Sequence, residues 1–134
     1  MKKATNVFLK LLLSLILLMP ILGVTGIFPA PTPDMYNTQE AYDFIAMLMA
    51  SKYIVYIEVI VFALAVLCLW TKRVALAGLL ILPITINIVG FHLFLDGGLF
   101  TAGAVMGNVL LALNVYFLWQ ERKEYRSLLK GTKN

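Results

Sequence analysis

Four apolar stretches of about 20 residues each, separated by short polar turns, dominate this chain of 134 residues. A hydrocarbon core about 30 Å thick is crossed by roughly 20 helical residues rising about 1.5 Å each. The stretches run from Val7 to about Ile27, from about Lys52 to Trp70, from Val74 to Leu95, and from about Thr101 to Trp119. Inside lipid a backbone amide finds no water, so stretches of this length must satisfy their hydrogen bonds as helices. A barrel strand would alternate with a period of two. Leu11-Leu12-Leu13 and Ala75-Leu76-Ala77-Gly78-Leu79-Leu80 do not. The expected architecture is an all-α integral membrane protein, a single four-helix antiparallel bundle over residues 1–134.

Composition agrees. Hydrophobic residues make up 61% of the chain and charged ones 13%, too little polar surface to coat a water-soluble globule. The net charge of +4 matters less than where the charges fall. Apart from Lys10, near the start of the first stretch, basic residues sit between or beside the apolar stretches, so nucleic acid is not an expected partner; the lipid bilayer is. With four spans, both termini and the turn Thr71-Lys72-Arg73 share one side. That side holds Lys2, Lys3, Lys10, Lys72, Arg73, Arg122, Lys123, Arg126, Lys130 and Lys133, and leaves Lys52 for the other. The positive-inside rule then puts both termini and a tail over 120–134 in the cytoplasm. The first stretch is longer than the roughly 7–15 apolar residues of a signal peptide, and Val24-Thr25-Gly26 is a poor cleavage site, so it is expected to remain as a span.

Between the first two stretches, Phe28-Pro29-Ala30-Pro31-Thr32-Pro33-Asp34 is too rich in proline for a helix. Asn37 with Glu40 forms a candidate capping pair, with Thr38 as the alternative cap. Ala41, Phe44, Ile45, Leu48 and Met49 then share one face, which suggests a short amphipathic helix in the outer loop. The competing expectation is a simple extension of the second span.

Polar residues inside the spans are the candidate functional groups, because an ionisable residue at mid-membrane needs a partner or a wet cavity. Glu58 lies about 9 Å below the outer boundary, His92 about 5 Å, Asn87 about 12 Å and Asn108 about 10 Å. Four polar residues from three helices thus converge on the outer half. Thr85, His92 and Asp96 fall on one helical line, with Asn87 on the far side and Pro83 a candidate kink. Glu58 is expected to accept a hydrogen bond from His92, with Thr85 and Asn108 completing a polar pocket. Such a pair can relay a proton or bind a quinone carbonyl. The competing role is an interhelical bond worth about 0.6–2 kcal/mol, the reading favoured for Asn114 and for Asn87. Asn87 also counts, with Asn108, as hydrogen-bonding support for a ligand.

Other features narrow the chemistry. Cys68, the single cysteine, reads as a small buried hydrophobe. Gly103 and Gly107 match a small-xxx-small pattern that lets helices approach, and Gly97-Gly98 reads as the turn closing the third span. One His and one Cys supply neither two axial haem ligands nor a zinc site, and there is no nucleotide-binding loop. No intrinsic cofactor or metal is expected.

Leu82-Pro83-Ile84-Thr85-Ile86-Asn87-Ile88-Val89-Gly90-Phe91-His92-Leu93-Phe94-Leu95 resembles the third-helix pattern of the DoxX family of small four-helix bacterial membrane proteins. The likeness continues in Leu111-Ala112-Leu113-Asn114-Val115-Tyr116, in Arg122 and in Tyr125-Arg126. Tyr56-Ile57-Glu58-Val59-Ile60 is similar to that family's second-helix Glu motif, except that Val55 stands where a Lys often precedes the Glu. The resemblance implies a multi-pass protein of the bacterial cytoplasmic (inner) membrane. It also implies an accessory subunit of a quinone-linked or oxidative-stress redox system, with a bound quinone and a redox enzyme or a second copy as partner. Glu58, His92, Asn87, Asn108 and Thr85 are the expected ligand-binding or proton-relay residues. The competing class is a non-catalytic assembly or scaffold protein, whose polar residues serve helix packing alone.

Overall fold

The computed structural model of the chain describes residues 2–130, without the side chain of Lys2. The sequence-based assignments for Lys2's charge and for Lys133 at the end of the tail lie outside the described residues. Helix accounts for 77% of the structure, and no described residue is in a strand. The helices are α1 (Lys2–Gly23), α2 (Gln39–Ser51), α3 (Tyr53–Trp70), α4 (Val74–Phe94), α5 (Ala104–Gln120) and α6 (Tyr125–Leu129), with one 3-10 turn at Pro33–Met35 before α2.

Three of these helices, α1, α3 and α4, are long and apolar enough to cross a membrane. Their outward faces carry exposed apolar side chains such as Phe8, Leu15, Ile60, Leu67 and Ile86, as expected of surfaces that meet acyl chains. α5 is also apolar but has 17 residues, about 26 Å of rise. It starts three residues later than its apolar run. Thr101 accounts for the delay: its hydroxyl donates to the Gly98 carbonyl at 3.2 Å and accepts the Ala104 N–H at 3.3 Å, so the first turn is held by a side chain.

The bounds of α1 differ from the expected 7–27 in the same direction at both ends. Lys3-Ala4-Thr5-Asn6 contains no helix breaker, so the helix reaches back over it. At the other end the Gly23–Gly26 turn, with Gly26 at φ +78°, stops it before Ile27. α1 packs against α3 and α5, and α4 packs against the same two helices. Their shared core contains Leu13 and Leu17 from α1, Phe62 and Ala65 from α3, Ala77 and Ile81 from α4, and Leu113 and Phe117 from α5. Cys68 is buried in it as a free thiol.

At one end of the core, polar groups tie the helices together. Lys10 Nζ donates to the Leu69 carbonyl at 3.0 Å, and Trp70 Nε1 donates to Ser14 Oγ at 3.0 Å. Asn114 Nδ2 donates to the Gly78 carbonyl at 3.0 Å. Tyr125 Oη donates to the Ala75 carbonyl at 2.9 Å, so the basic tail is anchored to α4.

α2 is a helix in its own right. Lys52 stands between α2 and α3 with φ +57° and ψ −45°, outside any helical conformation, so the alternative of one continuous span does not hold. Thr38, not Asn37, caps α2: its Oγ1 accepts the Ala41 N–H at 3.1 Å. α2 packs back against α3.

Candidate functional site

Helical phase on α4 determines what faces what. Val74, Gly78, Ile81 and Thr85 form a buried stripe that continues through His92 to Asp96. Thr85 is fully buried, and its hydroxyl is consumed by the Ile81 carbonyl at 2.9 Å. His92, two turns on, lies over the small-residue groove of α5. A Cβ built on Gly103 would come 3.5 Å from His92 Cε1, and one on Gly107 would come 3.5 Å from Cδ2. The small-xxx-small pair thus makes room for an imidazole as well as for a neighbouring helix.

The expected hydrogen bond from His92 to Glu58 is not made. His92 Nδ1 instead lies 2.9 Å from Asp96 Oδ2, four residues on and just past the end of α4. Asp96 is 2% exposed and gathers further donors. Its Oδ1 accepts the Asn37 N–H at 2.8 Å and Asn37 Nδ2 at 3.3 Å, while its carbonyl accepts Asn37 Nδ2 at 3.1 Å. Burial pushes the Asp96 carboxyl up, but the Asn37 N–H, the bonds from His92 and from the Asn37 amide, and the His92 charge together outweigh it. The net result lies below the usual carboxylate range. An ionised carboxylate only accepts, so His92 Nδ1 carries the proton. Thr38 Oγ1 adds a bond to the Leu95 carbonyl. Asn37 and Thr38 therefore clamp the start of α2 onto the end of α4.

On the other flank of α4, facing α2 and α3, lies a cleft of about 610 Å³. Phe44, Ile45 and Leu48 of α2 form its roof. Ile54 and Ile57 of α3 and Ile84, Ile88 and Phe91 of α4 form its walls. Phe91 stacks on Phe44 with ring centroids 5.8 Å apart, and Tyr36 meets Phe91 edge-on at 6.3 Å. The polar groups on the cleft are Tyr36, Glu58, Asn87 and His92. Burial, followed by the charge of Asp96, pushes the Tyr36 phenol up, so it remains a hydroxyl donor. Among the described residues neither Glu58 nor Asn87 has a hydrogen-bonding or ionic partner.

Of the five sequence-predicted site residues, the cleft therefore brings together Glu58, Asn87 and His92. Thr85 faces the core, and Asn108 Nδ2 is bonded to the Leu99 carbonyl at 2.7 Å, bracing the turn before α5. Sequence reasoning missed Asp96 as the partner of His92, Asn37 as a partner of Asp96, and Tyr36 as a cleft residue. The four-residue spacing of His92 and Asp96 was the available signal for the first.

Glu58 and Leu48 also line a second cleft of about 480 Å³, between α1, the proline-rich connector and α3, which carries Lys52 and Tyr56. No group of three or more His, Cys, Asp or Glu able to hold a metal occurs among the described residues. Comparison with family models, with curated proteins and with solved structures returns no match for this chain.

Proposed function

We propose that this chain is a DoxX-like protein of the bacterial cytoplasmic membrane that holds a quinone in the α2–α3–α4 cleft on behalf of a redox partner. α1, α3, α4 and α5 act as four antiparallel spans with both termini inside, an arrangement supported by the reciprocal packing of α1 and α4 on α3 and α5 and by the basic residues of the turn and tail.

The observation that carries the ligand reading is the make-up of the cleft: apolar and aromatic walls around a few convergent polar groups, two of them without partners. A bound quinone supplies two-electron, two-proton chemistry. Asn87 Nδ2 and the Tyr36 hydroxyl would be its hydrogen-bond donors, the Glu58 carboxyl would be a group able to give or take a proton, and the isoleucine walls would exclude water. The chain offers no electron carrier of its own, so electrons come from a partner oxidoreductase.

Decylubiquinone binding to the full chain in mild detergent tests this reading. Saturable binding is expected, and Asn87→Leu should weaken it about tenfold, or about 1.4 kcal/mol. Binding that Asn87→Leu and Ile84→Trp both leave intact would remove the cleft as the site. One observation favours the scaffold reading instead: His92 is bound to Asp96 and packed against α5, the behaviour of a structural residue. On that reading the purified chain binds no quinone, and loss of His92 disrupts folding alone.

A further inference from the structure

Glu58 raises a question that a neutral ligand does not answer. Its carboxyl lies between two clefts, and among the described residues no cationic side chain pairs with it. The titratable groups around it are Tyr36 and His92 on the first cleft and Lys52 and Tyr56 on the second. From α1 and α2, only apolar residues and glycines face it. His92 is committed to Asp96. Lys52, in the non-helical link before α3, lines only the second cleft and makes no ion pair with Glu58. An ionised carboxylate in apolar surroundings is costly unless a counter-charge reaches it. Among the described residues none does, so the carboxyl either keeps its proton or receives a cation from outside.

The surroundings specify which cation. A hard metal ion needs several oxygen ligands, and among the described residues no such group exists. Phe44, Phe91 and Tyr36 offer aromatic rings, which attract organic cations, and the isoleucines offer apolar cover. The volume of about 610 Å³ suits a small organic molecule. We propose that the cleft binds a lipophilic monovalent cation, of the quaternary ammonium or phosphonium class, against the Glu58 carboxylate in exchange for a proton. This site shares the cleft with the proposed quinone but stands without it, since it uses the ionised form of Glu58.

Tetraphenylphosphonium binding to the full chain in mild detergent, from about pH 5.5 to about pH 8.5, tests the proposal. Saturable binding is expected, tightening up to about tenfold per pH unit while the carboxyl holds its proton and then levelling off. Glu58→Gln should bind at least about tenfold more weakly with a flat profile, and Glu58→Asp should keep the pH dependence. A pH profile that persists in Glu58→Gln overturns the proposal, as does unchanged affinity in that variant. Should Glu58→Gln fail to fold, the wild-type chain still decides the matter. Neutral triphenylphosphine oxide must bind at least about tenfold more weakly than the phosphonium near pH 8, and equal binding overturns the proposal. Decylubiquinone is measured on the same samples. Phosphonium binding without quinone binding defeats only the quinone reading, and the reverse defeats only this one.

Discussion

Asp96 joins the start of α2 to the end of α4. It is buried, and its two oxygens and its carbonyl accept from Asn37 N, Asn37 Nδ2 and His92 Nδ1. Removing the carboxylate strands the Asn37 N–H and His92 Nδ1, each at about 1–3 kcal/mol, while Asn37 Nδ2 keeps the backbone carbonyl. Asp96→Ala should therefore lower stability by at least about 2 kcal/mol in thermal unfolding in mild detergent. Asp96→Asn should cost less, because Oδ1 still accepts from Asn37 and the imidazole can change tautomer. The pH dependence has a definite sign. The carboxyl titrates below its ordinary range in the folded chain, so its contribution is complete above the unfolded value of about 3.9 and is lost as the pH falls through the lower, folded one. Wild type should lose melting temperature over that acid window, and Asp96→Asn should lose distinctly less. Equal acid slopes in the two proteins would mean that Asp96 is not the group responsible. The His92–Asp96 line could be read from the sequence, because four-residue spacing on a helix is local. Asn37 as its partner could not, since the two lie 59 positions apart and Asn37 looks locally like a cap.

Among the elements, α2 packs on α3 but is tied to α4 through its first turn, which makes Thr38 decisive. One hydroxyl caps α2 through Ala41 N–H and also reaches the Leu95 carbonyl at the end of α4. Thr38→Val keeps the shape and loses both bonds. It should cost about 1–2 kcal/mol and speed amide exchange in the first turn of α2, whereas Thr38→Ser should restore protection. Exchange that is equally slow in Thr38→Val would show that the roof is held by Phe44 on Phe91 instead. Apolar run length located the long helices because lipid thickness sets it directly. Their ends moved by several residues, since local chemistry sets those: Gly26 at positive φ stops α1, and the Thr101 hydroxyl delays α5. The candidate site was legible in part for the same reason. Phase correctly put Thr85, His92 and Asp96 on one face of α4. Which neighbour that face meets depends on the glycines of α5, so Asn87 on the opposite flank, rather than Thr85, reaches the cleft with Glu58.

At the scale of the whole molecule the open question is how many times the chain crosses the membrane, and geometry makes it a question of sides. α1, α3 and α4 rise about 33, 27 and 32 Å, and α5 about 26 Å, slightly less than the hydrocarbon thickness. If α5 crosses, Asp34 in the connector and Lys123 in the tail lie on opposite sides. If α5 only dips in and returns, they share a side, and the basic tail ends up across the membrane from Lys72 and Arg73. The first arrangement satisfies the positive-inside rule and lets Tyr125 reach the Ala75 carbonyl beside that basic turn. The second separates Tyr125 from Ala75 by the whole bilayer. Single cysteines at Asp34 and Lys123, both exposed, convert this into a measurement, with Cys68 buried enough to stay silent. An impermeant maleimide added to intact cells, or to spheroplasts where an outer membrane intervenes, should label Asp34→Cys directly and Lys123→Cys only after lysis. Labelling of both from outside would reduce the spans to three and leave α5 lying against them from one side, ending the case for a bundle that encloses the site.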